Sequence, residues 1–208
     1  MTDYTQVGER FDRNVAEHEM KVILDDGLHR HLLFKKPGTT DQHFRIVTWP
    51  GYLTFCGDMG TFTFYRNADM FDFFMGSGGG ISPHYWQEKL QAGAGSEGSR
   101  AIAEEWDSDS FKQSVLGCWK DWLQGDSLPD PEATEEVKEY LRDNLLNCCD
   151  EFEAVAAVRD FDCDEAPDML DDFHETSDTR LRYHYLWCCY AIVWGIKQYR
   201  QREEQEAA

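Results

Sequence analysis

"HFRIVTWPGYLTFCGDMGTFTFY", residues 43–65, decides the fold. Phe44, Ile46 and Thr48 alternate with Arg45, Val47 and Trp49, the period-two pattern of a strand with two unlike faces. Pro50-Gly51 closes that strand, and the glycine-bounded "GDMG" (57–60) is a second tight turn, so "YLTFC" (52–56) and "TFTFY" (61–65) read as the next two strands. Turns this short join antiparallel neighbours. Upstream, "MKVILDDG" (20–27) alternates Met20, Val22 and Leu24 before an Asp-Gly turn, and "LHRHLLFKK" (28–36) is the returning strand, stopped by Pro37-Gly38. The expectation is an antiparallel meander of about five strands. A short helix over 5–18 precedes it, with Val7, Phe11 and Val15 one turn apart.

After residue 66 the hydrophobic period becomes helical. "NADMFDFFMG" (67–76) predicts a helix capped by Asn67, and "SPHYWQEKLQA" (82–92) one with Ser82 as cap and Pro83 in the first helical position. Further helices are predicted over 107–125, with Phe111, Val115, Cys118, Trp119 and Trp122 on one stripe, and over 131–149, with Thr134 as cap and Val137, Leu141, Leu145 and Cys148 inward. A last helix at about 180–201 is apolar nearly all round between Leu186 and Ile196, which marks it as central and buried. The fold class is α+β: one domain over 1–208, β-rich to residue 66, then a helical part packed on the sheet.

The charge is one-sided. The chain carries 40 acids against 20 Lys and Arg, net −20. Residues 1–100 hold 13 acids and 10 bases, whereas residues 101–175 hold 23 acids and only 5 bases. With 41% hydrophobic residues and seven tryptophans the chain can still bury a core, so this charge does not imply disorder. It disfavours direct contact with nucleic acid or an anionic membrane and favours basic partners. Seven cysteines, an odd count with Cys148-Cys149 and Cys188-Cys189 adjacent, do not make a disulfide framework; the two adjacent pairs, on apolar helices, read as buried reduced thiols. The opening "MTDYTQVGERFDRN" has no basic-then-apolar leader, and the longest apolar run, 185–196, is shorter than a membrane span. The expected compartment is a reducing cytoplasm.

No motif for catalysis, a cofactor or a metal emerges. P-loop, G-x-G-x-x-G, G-x-S-x-G and H-E-x-x-H patterns are absent, and "GSGGG" (76–80) lacks the lysine and preceding strand of a phosphate loop. His29 and His31 share one strand face, which would suit two metal ligands or, more plainly, a structural pair, and Cys163 and His174 lack metal-site spacing. In "RDFDCDEAPDMLDD" (159–172), Asp160, Asp162, Asp164 and Asp171 fit positions one, three, five and twelve of a calcium loop. Glu165 stands where the sharp turn requires glycine, and Pro167 and the short Asp171 depart further, so an EF-hand is not expected.

What remains is the acidity itself. Carboxylates three and four residues apart on a helix lie about 5–6 Å from one another, near the separation of successive phosphates on a nucleic-acid strand. Glu132, Glu135, Glu136, Glu139 and Asp143 would form one acidic helix face. Asp150, Glu151 and Glu153 extend it, and Asp160, Asp162, Asp164, Glu165, Asp168, Asp171 and Asp172 add a less regular cluster. Such a surface fits a basic nucleic-acid-binding protein as partner; an ordinary solvated helix face is the alternative. Asp58, Arg66 and His84 are candidate polar groups for a small-molecule pocket near the GDMG turn, against the plainer readings of a turn residue, an Arg66–Asp69 pair and a first-turn histidine.

"TWPGYLTFCGDMGTFTFYRNADMFDFF" (48–74), "ISPHYWQEKLQA" (81–92) and "YLWCCYAIVWGIKQY" (185–199) together resemble a family of small proteins encoded by bacteriophages and prophages. The resemblance spans most of the chain. It implies a viral origin and the cytoplasm of a bacterial host, and carries over no catalytic residue. Combined with the acidity, it points to an inhibitor of a nucleic-acid-handling defence system such as a CRISPR effector or restriction enzyme. Two other readings are an enzyme or sponge acting on an immune signalling nucleotide, and a phage assembly component with Tyr85 and Trp86 as interface anchors.

Overall fold

Five strands follow one another along the chain and pair in that same order, each antiparallel to the next: β1 (Glu19–Asp26), β2 (His29–Lys35), β3 (Phe44–Trp49), β4 (Tyr52–Gly57) and β5 (Gly60–Tyr65). The computed structural model describes residues 4–76, 78–91, 98–125, 130–171, 173 and 178–207. Its register sets Phe34 opposite Phe44, Leu32 opposite Ile46, Ile46 opposite Phe55, and Leu53 opposite Phe64, so one face is a layer of buried aliphatic and aromatic side chains. The turns are those the sequence announces. Gly51, at φ +88°, takes the position after Pro50 where a type II turn needs a positive φ. Gly57 faces Gly60 across the GDMG turn, and a Cβ on Gly57 would collide with the carbonyl oxygen of His43.

That apolar face is covered by α8 (Tyr183–Ala207), and α1 (Tyr4–Val15) packs against α8 in the same core. Gly195 lets α8 approach closely: a Cβ there would lie 2.7 Å from Ile46 Cδ1 and 3.1 Å from the Phe34 ring. Trp187 meets Phe11 and Phe44 edge-on at 5.0 and 5.6 Å, joining both helices to the sheet. Val7, Phe11 and Val15 of α1 are all buried, as their spacing predicts.

Several local expectations are corrected. β1 carries a bulge between Val22 and Leu24, which turns Leu24 to the opposite face from Met20 and Val22 and leaves Ile23 and Leu24 exposed. The helix after the sheet, α2 (Met70–Met75), is capped by Asp69 and not Asn67, Asp69 accepting from the Phe71 amide at 2.8 Å. The helix expected over 82–92 is a single turn, α3 (Pro83–Gln87), and the Ser82 side chain makes no cap bond. Residues 89–91 instead pair with the open edge of β5, through Tyr65 N to Lys89 O and Gln91 N to Thr63 O. An unpaired edge offers a row of free backbone groups, and these residues satisfy some of them.

The chain divides into two compact units, one of residues 2–104 with 181–208, the other of residues 105–180. Helix α4 (Gly98–Ala103) ends the first stretch of the sheet unit; β6 (Glu104–Trp106) and β7 (Thr179–Leu181) pair with each other where the chain crosses. Between them lie α5 (Ser108–Leu123), α6 (Pro131–Asn144) and α7 (Glu151–Arg159). Their core is small: Phe111 and Val115 of α5, Val137, Leu141 and Leu145 of α6, Ala154 of α7, and Cys163, Ala166 and Leu170 beyond it. Cys118, Trp119 and Trp122, expected on the buried stripe of α5, are half-buried. Among the described helices after residue 105, α8 alone belongs to the sheet unit.

Candidate interaction surface

The unit of residues 105–180 contains 23 acids and 6 bases, net −17, while the sheet unit contains 17 acids and 14 bases. The charge bias therefore coincides with a folded body that has its own core. Asp130 caps α6 by accepting from the Glu132 amide at 3.1 Å, with Pro131 as first helical residue; the expected cap, Thr134, lies inside the helix. At about 100° per residue, Glu132, Glu135, Glu136, Glu139 and Asp143 fall within an arc of roughly 100°, with Val137, Leu141 and Leu145 centred opposite. All five acids are exposed. The predicted acidic face of this helix is present, and core packing on the other side fixes it outward.

Helix α6 ends at Asn144, short of Cys148-Cys149, and the chain turns into α7. Cys149 is exposed and Cys148 half-buried, so the expectation of two buried thiols fails for this pair. It holds for Cys188 and Cys189 of α8, whose thiols burial pushes up from their ordinary range. Asp150 and Glu153 also serve the backbone: Asp150 caps α7 at the Glu153 amide, 2.9 Å, and Glu153 accepts from the Cys149 amide, 2.8 Å. Both remain exposed, as does Glu151. Between Glu151 and Glu153, Phe152 is 84% exposed, an apolar group among carboxylates that a search of the sequence for acids alone misses.

The acid-rich run after α7 is a chain of tight turns, with backbone bonds Ala166 N to Cys163 O, Met169 N to Ala166 O, and Asp171 N to Asp168 O. These turns send Cys163, Ala166 and Leu170 into the core and leave Asp160, Asp162, Asp164, Glu165, Asp168 and Asp171 exposed. Asp172 and His174 lie outside the described residues. Asp160 is held by a two-pronged pair with Arg159 at 2.8 and 2.9 Å, whose hydrogen bonds keep its carboxyl below the usual carboxylate range. Glu135 pairs with Lys138 at 2.9 Å. Among the described residues no three His, Cys, Asp or Glu side chains converge to hold a metal ion.

The pocket residues are not brought together. Asp58 is in the β4–β5 turn, 3.0 Å from His43 Nδ1, while Arg66 follows β5 at its other end, several residues and so roughly 20 Å of strand away. His84 is on α3 and hydrogen-bonds the Tyr4 hydroxyl at 2.8 Å. The Arg66–Asp69 pair is replaced by a two-pronged Arg30–Asp69 pair at 3.0 and 2.9 Å. Trp86 is wholly buried in the sheet-unit core, whereas Tyr85 is exposed. His29 is exposed at the start of β2, and His31 lies 2.9 Å from Arg45 Nη1; burial and that guanidinium lower its pKa. No described helix is long and apolar enough to cross a membrane.

No family model, curated protein or solved structure matches this chain.

Proposed function

We propose that the protein is a phage-encoded inhibitor of a bacterial nucleic-acid-handling defence system, a CRISPR effector or restriction enzyme, acting in the host cytoplasm by occupying a basic site with its acidic unit. The observation that carries this reading is the exposure of every described candidate carboxylate on one unit of net −17, with the five of α6 in a single arc. Regularly spaced carboxylates present to a cationic groove the charge that phosphates would. Phe152 adds what phosphates lack, an apolar contact that a protein partner can enclose and whose burial would contribute affinity largely independent of salt. Asp58 and Arg66, at opposite ends of β5, do not meet each other, and the nucleotide-pocket reading has no such pair to rest on.

The test is co-purification of a tagged copy from a host carrying several defence systems, at low and high salt. A salt-sensitive complex with a nucleic-acid-binding effector, competed by that effector's DNA or RNA, is expected. The chain with Glu132, Glu136, Glu139 and Asp143 all changed to Lys should keep its circular-dichroism spectrum and lose the complex. Retention of the complex by that variant would overturn the acidic-surface mechanism. Phe152→Ala should weaken binding about tenfold while leaving its salt dependence unchanged.

A further inference from the structure

The chain enters the acidic unit at residue 105 and leaves it at residue 180, and each unit closes its own side of that crossing. On the sheet side, Arg182 N donates to Ala103 O at 2.7 Å and Arg182 Nε to Glu104 O at 2.7 Å. On the acidic side, Asp107 N donates to Asp178 O at 2.9 Å, and Arg180 Nε meets Glu105 at 2.9 Å. The two buried clusters share no residue. We infer that residues 105–180 are an insertion that folds and opens as a cooperative body of its own, so that the acidic surface can melt without unfolding the sheet that hosts it.

Chain ends this close are the condition under which one unit can sit inside another, since the host's two segments then meet without the insert. The cost of joining the segments through a long loop grows only with the logarithm of loop length, so the host gains little from what lies between. The insert is also the weaker body. Among the described residues, nine buried apolar side chains hold it, against twenty-nine in the host cluster, and its like charges repel one another. Salt should therefore stabilise the insert selectively, by screening that repulsion.

Hydrogen exchange followed by mass spectrometry on the full-length chain tests this. Amides of α5–α7 are expected to share one opening event, faster than that of β2–β4 and α8, and slowed roughly tenfold or more on passing from low to about 1 M salt. In Leu141→Asp, which places a charge in the insert's core, protection of α5–α7 should vanish while that of β2–β4 and α8 changes by less than about twofold. A single opening shared by both units with the same salt response would overturn the inference, and so would loss of sheet protection, or of the folded chain, in Leu141→Asp. Neither readout involves a partner, so failure of the inhibitor reading leaves this one standing.

Discussion

Arg30 sits where three elements meet. From β2 it grips Asp69, the cap of α2, lies over the Phe71 ring at 4.5 Å, and faces Tyr199 of α8 at 5.6 Å. Burial works against the Asp69 carboxylate, but hydrogen bonds from Arg30 and the Phe71 amide outweigh it and hold the group below the usual carboxylate range. A carboxyl whose pKa is depressed by folding stabilises the folded state above its unfolded pKa of about 3.9 and loses that contribution as pH falls through the folded value. Asp69→Asn should therefore lower stability to denaturant at pH 7, and the difference from wild type should shrink on acidification below about pH 4. Arg30→Ala should cost about 2 kcal/mol at neutral pH in the same measurement. Gly195 is a second single-residue dependency. Gly195→Ala adds the helix propensity of alanine yet forces α8 off Ile46 and Phe34, and a net loss of about 1–3 kcal/mol in thermal or chemical unfolding is expected.

At the scale of elements, helix starts are set by backbone amides seeking partners. Asp69, Asp130 and Asp150 each accept from an amide of the first turn. Asp150 has both a charge and a capping role, and the two can be separated. Asparagine caps about as well as aspartate, whereas alanine forfeits about 1 kcal/mol. Asp150→Asn should thus leave the stability of the acidic unit unchanged and Asp150→Ala should reduce it, read by exchange in α7, while both remove the same charge from the surface. The sheet edges follow similar logic. Residues 89–91 close part of the β5 edge, and the bulge in β1 interrupts the regular ladder at the other.

For the whole molecule, charge and architecture are partitioned along the same line. A sheet unit of 17 acids and 14 bases carries an acidic unit of 23 acids and 6 bases. Binding to a basic partner through that surface should weaken steeply as salt rises, mainly through slower association, and titration calorimetry or kinetic binding across ionic strengths would show it. A salt-independent affinity would assign the binding energy to apolar contacts instead.

The sheet was legible from sequence because its information is local: alternation fixes the two faces, and Pro50-Gly51, Gly57–Gly60 and Asp26-Gly27 fix the returns. The burial of α8 between Leu186 and Ile196 was legible too, from a stretch of helix with no polar face. The acidic face of α6 could be read because positions 132, 135, 136, 139 and 143 share a helical period. Tertiary structure decided the rest. Nothing local pairs Arg30 with Asp69 or draws residues 89–91 out of a helix and onto a strand edge. Nor does any local pattern mark residues 105–180 as a unit with its own core. These outcomes depend on which distant groups come within a few ångströms, and that is settled only when the whole chain has found partners for its buried polar groups and cover for its apolar faces.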